Sequence, residues 1–193
     1  MHFDLLRKEE LYHGNIVDLV VHHVQYRSGN TAKREIVQHP GGSVALAVFD
    51  NNDILLVKQY RYPIGGEVIE LPAGKLDSRS EDPQHCAQRE LREETGYIAQ
   101  RWTKLITMMT TPGFCDERLH IFMAQGLSLS PQGQSLEEGE QTIKLLRVPL
   151  AEAVAMVERG EIADGKSIAG ILLGERKLRR QVGDSNQESE DRI

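Results

Sequence analysis

The sequence has few cysteines, no excess of positive charge and no long hydrophobic run, and each shortage excludes a class of protein. Its 193 residues include two cysteines, Cys86 and Cys115, which lie far apart and lack CxxC spacing, so neither a disulfide framework nor a zinc knuckle is indicated. The 23 basic residues are outnumbered by 29 acidic ones. The resulting net charge of −6 argues against general binding to nucleic acid or to an anionic membrane.

Hydrophobic sequence is also distributed in short stretches. No apolar run approaches the roughly 18 residues that a membrane-spanning helix requires, and the first ten residues lack the apolar core of a signal peptide. The hydrophobic content of 39% and the charged content of 27% are typical of a globular protein. We therefore expect a reduced, cytoplasmic enzyme or binding protein.

The pattern of strands and helices predicts an α+β fold built on a mixed sheet. Residues 1–42 contain two β-rich segments and a Pro-Gly-Gly breaker, which predicts a small antiparallel N-terminal subdomain. Residues 43–182 mix further strands with three helices and form the main domain. Residues 183–193 are polar and acidic, and we expect them to form a disordered tail.

One predicted helix carries a cluster of glutamates. It begins at Asp82-Pro83, a favourable N-cap followed by proline, and ends at Gly96. Its glutamates Glu90, Glu93 and Glu94 are spaced i, i+3 and i+4, so that one helix face holds all three carboxylates.

Two interpretations of this face are possible. A solvated face with Arg89 and Arg92 as ion-pair partners is the common one for a glutamate-rich helix. Clustered carboxylates are also the preferred ligands of Mg²⁺ or Mn²⁺. The flanking sequence decides between them.

The Nudix box is resembled by one segment of this chain, which contains Gly74, Glu81 and the continuous sequence RELREETGY at residues 89–97. Two positions depart from the family pattern: six residues instead of five separate Gly74 from Glu81, and Tyr97 replaces an aliphatic residue. Because the extra residue lies in a loop, where insertions are tolerated, the helical spacing is preserved. We interpret the box as active.

Other segments resemble the Nudix subfamily that hydrolyses ADP-ribose and related nucleoside diphosphate sugars. The similar segments cover residues 34–41, 57–61, 70–74 and 111–118, and Pro112 follows Tyr97 by the fifteen residues that mark ADP-ribose pyrophosphatases. The resemblance implies an α/β/α Nudix sandwich over residues 43–182 and hydrolysis of ADP-ribose to AMP and ribose 5-phosphate.

The resemblance also implies a divalent metal, Mg²⁺ with Mn²⁺ as a substitute, because the acidic chain would otherwise repel a diphosphate. By family match the metal ligands are the carboxylates of Glu90 and Glu94 and the carbonyl of Ala73, with Glu93 as a further ligand. Arg89 would orient the carboxylates through an ion pair. The role of Glu81 is left open by the inserted residue.

Four further residues match substrate-binding positions of the subfamily. Arg34 and Arg61 match positions that hold the phosphates or the nucleotide, Glu35 contacts the adenine side, and Glu117 faces the terminal ribose. The seven histidines lack metal-binding spacing, and we assign them structural roles.

The general base in this subfamily lies on a mobile acidic loop before the last strand, which matches residues 136–142 here. Alignment to the following strand favours Glu140, whereas the spacing to Ile143 keeps Glu138 open. We expect Glu137 to contribute little, and Glu93 is the alternative on the box helix.

Assembly and substrate choice complete the expectations. In the subfamily the N-terminal strands exchange across a two-fold axis, so we expect a homodimer. Its expected ligand is a small-molecule nucleotide sugar, and we expect it to bind neither nucleic acid nor a membrane. GDP-mannose is the alternative substrate, and a non-hydrolysing ligand sensor is the alternative class of protein. The base and sugar preference and the number of metal ions are not determined by the sequence.

Overall fold

The computed structural model describes residues 2–136 and 138–190, with side chains described as far as Gln181. It contains ten strands, three helices and a short 3₁₀ turn at Glu138–Glu140. The strands are β1 (Phe3–His13), β2 (Asp18–Tyr26), β3 (Thr31–Gln38), β4 (Gly42–Val48), β5 (Asp53–Arg61), β6 (Gly66–Glu70), β7 (Ala73–Lys75), β8 (Tyr97–Met109), β9 (Arg118–Leu129) and β10 (Lys144–Pro149). The helices are α1 (Pro83–Thr95), α2 (Leu150–Glu158) and α3 (Gly165–Glu190).

The main sheet is mixed, as the sequence predicted. Its central order is β10-β5-β4-β9-β8, with β6 paired to β5 and β7 paired to β4. The β4 and β9 strands run parallel, and the other pairs are antiparallel. All seven residues of β4 are buried, because this continuous apolar strand lies in the middle of the sheet with helices on both faces.

Alternate residues of β4 pack against different layers. Ala45 and Ala47 contact Leu91 of α1, so small side chains let this helix approach the sheet closely. Val44, Leu46 and Val48 belong to the core on the opposite face, which includes residues of α2 and α3. The expectation of an α/β/α sandwich is confirmed by these two cores.

The N-terminal unit is a separate three-stranded antiparallel sheet in the order β1-β2-β3. The sequence predicted β2 and β3 but not β1, whose charged residues 7–10 obscure its periodicity. The end of β3 is joined to the loop before β9, since Val37 N–H donates to the carbonyl of Phe114 over 2.8 Å and Asp116 N–H donates to the carbonyl of Val37 over 3.1 Å.

The C-terminal helix extends farther than the sequence indicated. Its backbone remains helical through residues 183–190, part of the stretch expected to be a disordered tail, and no proline interrupts it. Residues 191–193 lie outside the described part. Within the described ranges, no helix combines the length and the apolar character that crossing a membrane requires.

Candidate active site

The glutamate-bearing helix is fixed at both ends by local interactions. Its N-cap Asp82 accepts hydrogen bonds from the backbone N–H groups of Gln84 at 2.8 Å and His85 at 3.0 Å. Gly96 ends the helix with a φ of 74°, a left-handed conformation that glycine adopts without strain. The predicted start and end of α1 are therefore confirmed.

The two glutamates proposed as principal metal ligands are buried. Glu94 is 1% exposed, and its Oε2 accepts the N–H of Ala73 over 3.1 Å. Glu90 is 8% exposed and packs against Gly74 so closely that a Cβ at residue 74 would lie 2.0 Å from the Glu90 carboxyl carbon. The β7 strand and α1 thus place the Ala73-Gly74 backbone directly beside both carboxylates.

The pKa values of both carboxylates are raised, because nearby positive charge does not compensate for their burial. Burial, opposed by the Arg89 charge, raises the pKa of Glu90 to about 7. Burial and the neighbouring charge of Glu90 raise the pKa of Glu94 to about 8. Buried carboxylates with elevated pKa values favour a proton or a cation beside them.

Arg89 supplies part of the missing charge. Its Nη1 lies 2.7 Å from Oε1 of Glu90 and 3.3 Å from Oε2 of Glu93, and its Nη2 donates to the carbonyl of Lys75 over 3.3 Å. Glu81 Oε1 lies 3.6 Å from the same Nη2, so the longer loop still brings Glu81 to Arg89. Glu93 is also bound by Arg92 at 2.5 Å, which leaves it the most fully ion-paired of the three helix glutamates.

These residues fit a hard divalent cation. The donors are carboxylate oxygens of Glu90 and Glu94 and the adjacent backbone of Ala73, and the absence of a side chain on Gly74 leaves the room that the Glu90 carboxylate occupies. Among the described residues, no three His, Cys, Asp or Glu side chains already form a complete metal-binding group. Glu93 lies on the same face but is held by arginines.

A cleft of about 470 Å³ opens beside this backbone. It is lined by two of the predicted substrate residues, Arg61 and Glu117, and by Ala73 and Gly74. The other two, Arg34 and Glu35, lie exposed on β3 and do not line the cleft. Arg34 instead donates to the hydroxyl of Tyr26.

The cleft also contains residues that sequence reasoning missed. Lys166 Nζ lies 2.5 Å from Oε1 of the buried Glu70, whose Oε2 accepts from Nε of Arg61 at 2.8 Å. Glu70 therefore joins two cations of the cleft wall. Glu70 and Lys166 are 96 residues apart, so no local pattern indicated this contact.

His39 was assigned a structural role, yet it lines the cleft. Its Nδ1 lies 3.2 Å from Oε1 of Glu117 and accepts the N–H of Gly41 over 3.0 Å. The only sequence signal was its position in the segment 34–41.

The two candidates for the general base differ in their surroundings. Both lie in the 3₁₀ turn Glu138–Glu140, where Glu138 is exposed and Glu140 is half-buried. The charge of Glu140 contributes to the raised pKa of both Glu90 and Glu94, so Glu140 lies near enough to the pair for its charge to act on both carboxylates. Glu137 lies outside the described residues.

The chain is similar to known proteins over most of its length. The NUDIX domain family matches residues 39–170. The chain is 42% identical to an ADP-ribose pyrophosphatase of Bacillus subtilis (strain 168) over 166 residues, covering 86% of this chain and 89% of that one.

Two other relatives have different names. A methanol dehydrogenase activator of Bacillus methanolicus is 39% identical, covering 86% of this chain and 89% of that one. A GDP-mannose pyrophosphatase of Citrobacter koseri (strain ATCC BAA-895 / CDC 4225-83 / SGSC4696) is 31% identical, covering 70% and 74% respectively.

The fold has a counterpart among solved structures. The crystal structure of an ADP compounds hydrolase superimposes with a TM-score of 0.80 at 18% identity, covering 94% of this chain and 96% of that one. Since the family match spans the carboxylate helix, the cleft backbone and the 3₁₀ turn, the chain belongs to the Nudix family.

Proposed function

We propose that this chain hydrolyses the pyrophosphate bond of ADP-ribose, with Mg²⁺ as its cofactor, to give AMP and ribose 5-phosphate. The observation that carries the proposal is the buried Glu90–Glu94 pair beside the Ala73-Gly74 backbone, at the wall of a cleft that also presents Arg61. The 42% identity to an ADP-ribose pyrophosphatase over most of both chains supports the choice of substrate.

The metal would be held by the carboxylates of Glu90 and Glu94 and by the carbonyl of Ala73. When bound, a divalent cation neutralises phosphate charge and polarises the bond to be broken. Mn²⁺ has the same preference for oxygen ligands and is expected to substitute.

The chain's own residues would position the diphosphate. Nε of Arg61 is held by Glu70, which fixes the guanidinium at the cleft wall. A guanidinium matches phosphate geometry with paired N–H donors, so a fixed Arg61 is suited to orient a diphosphate. Lys166 holds the other oxygen of Glu70 and so supports the same orientation.

Water attack requires a base, and we assign this role to Glu140. Its carboxylate would take the proton of the attacking water as the new bond to phosphorus forms and the bridging P–O bond breaks. The half-buried position of Glu140 and its effect on Glu90 and Glu94 favour it over the exposed Glu138. Among the described residues, no atom lies within 4 Å of where a Cβ on Gly139 would stand, so the turn has room to move.

The exposed positions of Arg34 and Glu35 support a homodimer with exchanged N-terminal strands. Within one chain neither residue reaches the cleft, whereas a partner's sheet could bring them to it.

A cytoplasmic location is also proposed, because Cys86 and Cys115 are both free in the structure.

The function is tested by assaying AMP release from a panel of nucleotide sugars with Mg²⁺ and then with EDTA. ADP-ribose should be the preferred substrate, and EDTA should abolish turnover. GDP-mannose is the second candidate, favoured by the 31% identity to a GDP-mannose pyrophosphatase, and a higher kcat/KM for GDP-mannose would select it. Binding of ADP-ribose without turnover would select a ligand sensor.

A further inference from the structure

The described part of α3 carries a basic face that the proposed catalytic cleft does not use. Leu173, Arg176, Lys177 and Arg180 are spaced i, i+3, i+4 and i+7, so they lie on one side of the helix. Arg176 and Arg180 are exposed, and Lys177 is half-buried. This cationic face is unexpected on a chain with a net charge of −6.

A bulge in β8 turns the neighbouring strand toward this face. Lys104 pairs with Phe122 and Ile106 pairs with Ile121, which leaves Leu105 as an extra residue in the ladder. A β-bulge changes the direction in which side chains point. Lys104 and Leu105 consequently both line one cleft with the α3 residues, although consecutive strand residues normally face opposite sides.

We call Lys104, Arg176, Lys177 and Arg180 the α3 cation cluster. Among the described residues, none of its four members has a carboxylate partner in an ion pair, whereas Arg179 on another side of the same helix pairs with Glu175. Four neighbouring like charges repel one another, so the arrangement carries a cost that a bound anion would offset.

The shape of the cleft favours a compact ligand. Its volume is about 330 Å³, and Leu105 and Leu173 supply apolar surface between the cations. An extended polyanion would also meet the excess of carboxylates on the rest of the chain. At physiological salt, charges more than about 8 Å away are largely screened. A small anion in the cleft therefore interacts mainly with the nearby cations.

We propose that the α3 cation cluster binds a multivalent phosphate anion, of diphosphate to triphosphate size, at a site separate from the catalytic cleft. Two arginines supply paired N–H donors and two lysines supply point charges, which is a set suited to several phosphate groups. The site rests on α3 and β8 and does not depend on the proposed hydrolysis.

Isothermal titration with inorganic triphosphate, in EDTA and about 150 mM salt, tests the proposal. We expect one binding event per chain. The combined variant Arg176→Ala, Lys177→Ala and Arg180→Ala should raise the dissociation constant for triphosphate by about tenfold or more. The reason is that each substitution removes a charge-assisted contact to the anion. Arg179→Ala is the matched control on the same helix and should bind normally.

Three results would overturn the proposal. The first is equal binding by the combined variant and the unmodified chain. The second is loss of the event in Arg61→Ala, which would place the anion in the catalytic cleft. The third is tighter binding of a single-stranded oligonucleotide or an acidic peptide, abolished by the same combined variant, because the cluster would then be a macromolecular docking surface.

Discussion

The backbone N–H of Ala73 donates a hydrogen bond to Oε2 of Glu94 over 3.1 Å, which joins β7 to α1 at the centre of the site. The bond aligns a buried carboxylate with the backbone whose carbonyl is the proposed third metal ligand. One side of the site is therefore held by the main chain. Replacing either carboxylate should lower turnover while the fold is kept.

Glu94→Gln tests the metal assignment. Glutamine keeps the shape of the side chain and an oxygen that can accept the Ala73 N–H, but it removes the charge. We expect kcat to fall by roughly a hundredfold or more at saturating Mg²⁺, with an unchanged circular dichroism spectrum. The matched control is Glu158→Gln at the exposed end of α2, which should keep normal turnover. Unchanged turnover in Glu94→Gln would disprove the assignment.

The pH dependence of stability tests the buried carboxylates. The pKa of Glu94 rises from an ordinary value of 4.5 to about 8 in the folded chain, mainly through burial. Between these values the folded state retains a proton that the unfolded chain releases, so the free energy of unfolding decreases as pH rises from about 5 to 8.

Thermal unfolding in EDTA measures this effect. The unfolding temperature of the unmodified chain should fall more steeply with pH than that of Glu94→Gln, which lacks the titrating group. Added Mg²⁺ should stabilise the unmodified chain more at pH 8 than at pH 5, since a cation binds the ionised form. Parallel curves for the two proteins would show that Glu94 titrates normally.

Gly74→Ala tests the close approach of Glu90. The added Cβ would lie 2.0 Å from Cδ and Oε1 of Glu90, so the carboxylate must move. We expect turnover to fall by roughly tenfold to a hundredfold, with a higher Mg²⁺ concentration needed for half-maximal rate. Gly66→Ala on β6 is the control and should be nearly neutral, because no atom of the described residues lies within 4 Å of the added Cβ. Equal kinetics in the two variants would contradict the geometry.

Glu140→Gln tests the general base. A base acts in the transition state, so kcat should fall by roughly a hundredfold or more while KM changes little. The exposed Glu138→Gln is the control in the same turn, and Glu137→Gln, outside the described residues, should also have little effect. A crippled Glu138→Gln beside a nearly normal Glu140→Gln would move the role to Glu138. If neither matters, Glu93 becomes the first alternative.

The exchanged dimer is tested by mixing two inactive variants. If Arg34 serves the partner's cleft and Glu94 serves its own, Arg34→Ala and Glu94→Gln chains should regain activity when unfolded and refolded together. Each mixed dimer would then contain one intact site. Light scattering at micromolar concentration should give the mass of two chains. A fully active monomer, or no recovery on mixing, would contradict the exchange.

Much of this site followed from local sequence patterns. The N-cap Asp82, the helix end at Gly96 and the i, i+3, i+4 spacing of glutamates are local features, and the structure reproduces all of them. The burial of Glu90 and Glu94 could not be predicted in the same way, because it depends on the packing of β7 against α1. The division of the glutamates into two buried carboxylates, Glu90 and Glu94, and one more exposed carboxylate held by two arginines, Glu93, is likewise a product of the fold.

Long-range contacts account for what the sequence did not predict. The Glu70–Lys166 ion pair joins β6 to the start of α3, and the His39–Glu117 contact joins the end of β3 to the loop before β9. Neither pair has a spacing that periodicity could detect. The β1 strand was missed for a different reason, since exposed charged residues on an outer strand lack a clear alternation.

The most direct test of the central claim is to separate the products formed from ADP-ribose by the purified chain in Mg²⁺, in EDTA, and in Mg²⁺ with Glu94→Gln. We expect AMP and ribose 5-phosphate in equal amounts from the unmodified chain in Mg²⁺, and almost none under the other two conditions. Equal product formation with and without the metal, or no AMP from the unmodified chain in Mg²⁺, would contradict the account.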